Sequence, residues 1–184
     1  NIPIVLRVSS GNSILNEDLS NEELCVSIED AIRLNASAVA FSIYIGGAYE
    51  HQTIVEFSKL VNDAHRYGLP VLAVTAVGKD MNRDLRYLSL ASRIAVELGA
   101  DIVKTYYCDG FSELIAACPV PVVIAGGKKV PELDALEFAH KAISDGAAGV
   151  DMGRNIFQSE SPENMIQAVR SVVVNSVEPK DAFE

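Results

Sequence analysis

Apolar positions recur along the chain in two alternating rhythms. Short, mainly apolar runs rich in β-branched residues, at Ile4–Val8, Ala38–Ile45, Pro70–Val77, Ile102–Tyr107, Val120–Ala125 and Ala148–Met152, predict strands. Between them the apolar residues return every three to four positions, as on one face of a helix. Asn21–Asn35 puts Leu24, Ile28, Ala31 and Ile32 on one face, with Ser20 or Asn21 as the N-cap and Glu22 and Glu23 in the first turn. Thr53–Tyr67 turns Ile54, Phe57, Leu60, Val61 and Ala64 inward and stops at Gly68. Arg86–Leu98 ends at Gly99, Phe111–Ala117 is short, Leu133–Ser144 closes at Gly146, and Pro162–Val173 comes last. The polar stretch after Asn175 predicts a loosely held tail.

The result is six βα units in succession. Strands that are apolar throughout, rather than alternating, are covered on both faces, as in parallel sheets, and the intervening helices supply the crossovers. No linker or low-complexity tract divides the chain, so residues 1–184 read as a single domain. Two architectures fit: an open, doubly wound sheet or a (β/α) barrel. A closed barrel uses eight strands and typically ~250 residues, so the pattern alone favours the open sheet. Either way, ligands belong at the carboxyl ends of the strands.

Composition narrows the function. Against 15 Lys and Arg stand 25 Asp and Glu, a net charge of −10, and such a surface repels a phosphate backbone. Nucleic acid is thus not an expected partner. No apolar run approaches the ~18 residues of a membrane span, and no signal-peptide pattern opens the chain, so a membrane is not expected either. Cys25, Cys108 and Cys118 are odd in number and widely spaced, which favours reduced thiols in a cytosolic protein over a metal site. The chain starts at Asn1 without a methionine and enters a strand almost at once, so processing or a longer parent chain is expected.

One residue breaks the pattern. Lys104 sits in the middle of the apolar run Ile102–Tyr107, sharing a strand face with Ile102 and Tyr106. An ammonium there either snorkels to the rim, pairs with a carboxylate, or is desolvated enough to attack a carbonyl and form a Schiff base. Two glycine-bearing strand ends follow it, Gly126-Gly127-Lys128-Lys129 and Gly153-Arg154-Asn155. Glycines let backbone N–H groups approach an anion, and an arginine holds phosphate oxygens bidentately; the alternative is a plain turn and a surface charge. Lys79 and Asp80 beyond the third strand, and His51 after the second, are weaker candidates for the same mouth. His65 and His140 fall within helices, and Cys118 reads as a small buried hydrophobe.

Three stretches together carry a family resemblance. They are Val103-Lys104-Thr105-Tyr106-Tyr107, Val122–Lys129 (V-V-I-A-G-G-K-K) and Gly149–Gln158 (G-V-D-M-G-R-N-I-F-Q). Tyr49-Glu50-His51-Gln52 and Ala73–Met81 add to them. The chain resembles the DeoC/FbaB class I aldolases over essentially its whole length. The resemblance implies a TIM barrel in which the six strands correspond to strands three to eight, the two N-terminal βα units lying outside this sequence. It implies that Lys104 is the Schiff-base lysine and that Gly126, Gly127, Gly153 and Arg154 hold a substrate phosphate. Fructose-bisphosphate aldolases of the family end strand five in Tyr-Pro-Arg-Gly, whose tyrosine serves as acid/base. Here that region is Val74-Thr75-Ala76-Val77-Gly78-Lys79, which points to the thiolase-like branch, with Tyr106 as a substitute proton carrier. That branch acts in autoinducer-2 processing. It moves an acetyl group from 3-hydroxy-5-phosphonooxypentane-2,4-dione to coenzyme A as co-substrate, giving dihydroxyacetone phosphate and acetyl-CoA without a bound cofactor or metal. The resemblance also implies a homo-oligomer, relatives forming decamers. The alternatives are a class I aldolase cleaving a ketose phosphate and a non-catalytic module that binds a phosphorylated metabolite.

Overall fold

The computed structural model describes residues 2–13, 15, 18–77 and 82–184. In chain order the strands are β1 (Val5–Arg7), β2 (Ser9–Ser10), β3 (Glu23–Leu24), β4 (Ala38–Ile45), β5 (Val71–Val77), β6 (Ile102–Thr105), β7 (Val122–Ala125) and β8 (Gly149–Asp151). The helices are α1 (Ile28–Arg33), α2 (Glu50–Arg66), α3 (Leu85–Glu97), α4 (Phe111–Ala117), α5 (Glu132–Ser144), α6 (Arg154–Phe157), α7 (Pro162–Asn175) and α8 (Pro179–Phe183).

Six strands pair in the order β1-β4-β5-β6-β7-β8, every pair parallel. A doubly wound sheet reverses its strand order partway; this one never does. The open doubly wound architecture that the pattern alone favours is therefore set aside, and the sheet is six strands of a (β/α) barrel. The physical reason lies in handedness. Right-handed crossovers that always step the same way place every helix on the same face of the sheet. That face is the dry one. Val39, Phe41, Ile43, Val71, Ala73, Val103 and Ile124 are fully buried there, against Phe57, Leu60 and Ala64 of α2, Leu88, Ala91 and Ala95 of α3, and Leu114 of α4. The opposite, concave face is left for Ser42, Tyr44, Lys104 and Asp151.

Two expectations change. The helix predicted over Asn21–Asn35 exists only as α1. Glu23–Leu24 instead pairs antiparallel with Ser9–Ser10, and Leu24 is exposed rather than inward. Ser27, not Ser20 or Asn21, caps the helix by accepting a hydrogen bond from the Asp30 N–H at 3.1 Å. The upstream residues are claimed by stronger bonds, those of Glu22 described below. The tail after Asn175 is also held. It forms α8, with Pro179 buried and Ala182 packed on the second core of Leu136, Ala139, Met165 and Val172. Polarity there marked a short helix with one apolar side.

Ser27→Ala is expected to lower unfolding free energy by about 1 kcal/mol through loss of the cap. Phe57→Ala, which empties a site facing Phe41 at 6.1 Å, is expected to lower it by about 3–5 kcal/mol. Urea denaturation of both variants checks the pair; a neutral Ser27→Ala would return the helix start to the upstream residues.

Candidate active site

Strand register brings the concave-face residues together. Lys104 of β6 stands beside Val74 of β5 and Val123 of β7. Val123 in turn stands beside Gly149, so Asp151 is one pleat nearer the carboxyl ends than the lysine. The two side chains meet across the intervening strand, with Lys104 Nζ 2.7 Å from Asp151 Oδ2. The lysine side chain is 21% exposed and the aspartate 52%, so the pair sits at a wall of the concavity rather than inside the core. The Thr75 hydroxyl, itself buried, donates to the Lys104 carbonyl at 3.2 Å and pins the strand at the lysine.

The cavity in front of this pair has a volume of about 530 Å³ and takes in the lysine, the tyrosine beyond it and the glycine and arginine residues of the two strand ends. Lys104, Tyr106, Gly126, Gly127, Gly153 and Arg154 line it together. Gly126 lies three residues past Val123, the neighbour of Lys104. At a rise of ~3.3 Å per residue that is a run of about 10 Å along the strand direction. Gly126 must be a glycine, because a Cβ there would meet Met152 Cγ at 2.7 Å and its backbone Cα at 2.9 Å. Gly127 turns the chain at φ +66°, a left-handed conformation suited to glycine. Asn155, buried behind this loop, ties it down. Its Nδ2 donates to the Gly126 carbonyl at 2.8 Å and its Oδ1 accepts from the Val130 N–H at 2.9 Å. Arg154 Nη2 donates to the Gly127 carbonyl at 2.7 Å, which holds the guanidinium at the glycine end of the cavity.

The other end is closed by a network that sequence reasoning missed. Arg7 Nη2 donates to Glu22 Oε1 and Oε2 at 2.6 and 2.8 Å and to Ser42 Oγ at 2.6 Å. The Ser9 and Tyr44 hydroxyls donate to the same carboxylate at 2.6 and 2.9 Å. Burial pushes the Glu22 carboxyl up, but the hydrogen bonds from Ser9 and Arg7 and the charge of Arg7 outweigh it and hold the group below its usual range. Burial, with Glu22 beside it, pushes the Tyr44 hydroxyl up to about 12. Tyr44 lines the cavity as a neutral donor, and its cross-strand neighbour is Ala76. A tyrosine therefore reaches the end of strand β5 from the adjacent strand, β4. Arg83 also lines the cavity, its guanidinium 3.9 Å above the centre of the Tyr106 ring.

The remaining candidates fall elsewhere. Gly78, Lys79 and Asp80 lie outside the described residues. His51 is exposed in the first turn of α2, away from the residues lining the cavity. His65 bonds Asp101 at 3.0 Å at the opposite end of the strands, where Asp101 accepts from the Val71 N–H. Cys118 is buried. Tyr107 points away from Lys104, as the strand alternation predicts, and packs its ring on Phe111 and Phe138 while donating to Asp145.

Parallel strands taken in chain order, with a lysine at mid-strand on the concave face and glycine turns at the carboxyl ends, give the chain the layout of a (β/α) barrel with one cavity at the carboxyl ends of its strands. The chain belongs to the DeoC/LacD family of aldolases, whose family model matches residues 1–159. It is 59% identical, over its whole length, to a 3-hydroxy-5-phosphonooxypentane-2,4-dione thiolase of Klebsiella pneumoniae, of which it covers 62%. It is 60% identical to the protein of that name from Photorhabdus laumondii, covering 63% of it. The chain thus spans a little under two thirds of the length of these relatives. Among solved structures it matches an archaeal fructose-1,6-bisphosphate aldolase whose catalytic lysine is covalently bound to the carbinolamine intermediate. The TM-score is 0.87 at 30% identity, over 94% of this chain and 71% of that one.

Glu22 yields a pH test. With its folded value depressed, its contribution to stability is complete above the ordinary value of 4.5 and is lost as pH falls through the lower folded value. Glu22→Gln should lower unfolding free energy at neutral pH by about 1–3 kcal/mol, and flatten the acid limb of the stability profile. An unchanged acid limb in the variant would remove Glu22 from the account.

Proposed function

We propose that the protein is a Schiff-base thiolase. It moves an acetyl group from 3-hydroxy-5-phosphonooxypentane-2,4-dione to the sulphur of coenzyme A, releasing dihydroxyacetone phosphate and acetyl-CoA. The observation that carries this reading is the sharing of one cavity by Lys104 and the glycine–arginine end. The names of the most similar relatives support the choice of substrate.

In this reading Gly126, Gly127, Gly153 and Arg154 anchor the phosphate, and binding energy spent there positions the reacting carbons. The ketone nearest the phosphate, C4, condenses with the Lys104 amine and loses water to give an iminium. The coenzyme A thiolate adds to the C2 carbonyl. The C2–C3 bond then breaks, its electron pair flowing into the iminium to leave an enamine, and the acetyl group departs on sulphur. A proton delivered to C3, with Tyr106 as carrier, and hydrolysis of the iminium release dihydroxyacetone phosphate and restore the lysine. The far wall favours this substrate over a bisphosphate, because the charge of Arg7 is already met by Glu22. The homo-oligomer, the cytoplasmic location and the place in autoinducer-2 processing belong to the same proposal and rest on the family resemblance.

A ketose-phosphate aldolase is the second reading, favoured by the Arg83 cation on the cavity wall. The readings separate on coenzyme A. Cleavage of the phosphorylated dione should depend on coenzyme A and yield acetyl-CoA, and Lys104→Arg should reduce it by at least about 1000-fold. Borohydride with dihydroxyacetone phosphate should add mass to Lys104. Fast cleavage of a ketose phosphate without coenzyme A would establish the aldolase instead, and an unmodified Lys104 would remove both.

A further inference from the structure

We propose that Asp151 is a catalytic residue, the group that takes and returns the protons exchanged at Lys104 Nζ while the Schiff base forms. This rests on the reading of Lys104 given above and adds a second reacting group to it.

Three observations place the aspartate in that role. Its Oδ2 is 2.7 Å from Lys104 Nζ, within direct proton-transfer reach without an intervening water. It lines the same cavity, so a ketone arriving at the nitrogen lies against the carboxylate as well. It is also half-exposed, and no hydrogen bond within the described residues ties its carboxylate away from the lysine. The other charged groups facing the pair, and the Tyr44 hydroxyl, do not offer a free base at the amine. Arg7, Arg83 and Arg154, from β1, the segment before α3, and α6, are permanent cations. The Tyr44 hydroxyl from β4 stays protonated, pushed up to about 12, and is committed to Glu22, whose carboxylate is itself taken by Arg7, Ser9 and Tyr44. Tyr106 shares the strand face of Lys104 and projects one pleat beyond it, under Arg83. Among the described residues lining the cavity, Asp151 is the carboxylate that meets the amine.

The exchange balances in atoms and charge. The carboxylate accepts one proton from the ammonium, leaving a lone pair that attacks the ketone carbon. A C–N bond forms, and the carbonyl π pair moves to oxygen, which takes that proton back. The carboxylate then accepts a second proton from nitrogen and returns it to the hydroxyl, which leaves as water. Ammonium and ketone have become iminium and water, and Asp151 ends ionised beside the new cation, with which it forms an ion pair. It therefore favours the iminium electrostatically as well as moving the protons.

The test is the rate of borohydride-trapped imine formation with dihydroxyacetone phosphate, followed by mass spectrometry against pH in the protein as it is encoded. Asp151→Asn should form the adduct about 100-fold more slowly at pH 7. It should regain rate by about tenfold per pH unit on the alkaline side, as solvent replaces the missing base, while the wild type shows a flatter profile. Asp151→Glu, which keeps a carboxylate, should recover much of the rate. A loss in Asp151→Asn that is equal at every pH, or no recovery in Asp151→Glu when both variants are folded by circular dichroism, would reduce Asp151 to a structural contact and overturn the proposal. A wild type that traps at Lys104 together with an Asp151→Asn of unchanged rate overturns it too, and leaves the Schiff-base reading standing. No adduct at Lys104 in any of them overturns both.

Discussion

A charge in the middle of a parallel sheet has to be met by another charge or by water, and the molecule supplies both at Lys104. The ammonium lies 2.7 Å from the Asp151 carboxylate and keeps only 21% of its surface exposed. Burying such a group unpaired costs several kcal/mol. The pair is not buried in that sense, because the strands turn only one of their faces to the helices. Everything distinctive about the site follows from that asymmetry. The helix-facing residues of β4, β5, β6 and β7 form the dry core, and this core frees the opposite face to carry Ser42, Tyr44, Lys104 and Asp151 among smaller apolar residues.

The two ends of the cavity are built by different physics. At the glycine end, backbone is the working material. Gly126 can sit against Met152 only because it lacks a Cβ, and the buried amide of Asn155 fixes the loop from behind. At the far end, side chains do the work. Glu22 gathers Arg7, Ser9 and Tyr44 and so joins β1, the short β2–β3 hairpin and β4 into one unit. A guanidinium held beside a glycine turn suits an anion, whereas a neutralised salt bridge suits an uncharged group. The cavity thus mixes polar groups with apolar wall from Val74, Ala76, Ala125 and Phe157, and carries the Arg154 cation at its glycine end.

Much of this was legible from the chain, and the reasons are local. The βα alternation shows because Gly68, Gly99 and Gly146 end helices where apolar periodicity stops, and Lys104 shows because it interrupts an apolar run. Whether the sheet was doubly wound could not be read from periodicity, since strand order is set by which edge each crossover returns to. Arg7 and Glu22 stayed hidden because they are 15 residues apart in the chain, and the acidic pair Glu22-Glu23 imitates a helix start. Asp151 was visible as a polar residue ending a strand, but its partner is decided by register across two strand pairs. Tyr44 had a usable signal: with Ser42 it forms a polar alternation inside an otherwise apolar strand.

The central claim is that Lys104 captures a ketone whose phosphate rests at the glycine–arginine end of the same cavity. A crystal structure of the protein soaked with dihydroxyacetone phosphate tests it most directly. Density continuous from Lys104 Nζ to the ketone carbon is expected, with the phosphate at Gly126, Gly127, Gly153 and Arg154. A ligand bound with its phosphate elsewhere, and Lys104 still paired to Asp151 without a covalent bond to it, would contradict the account.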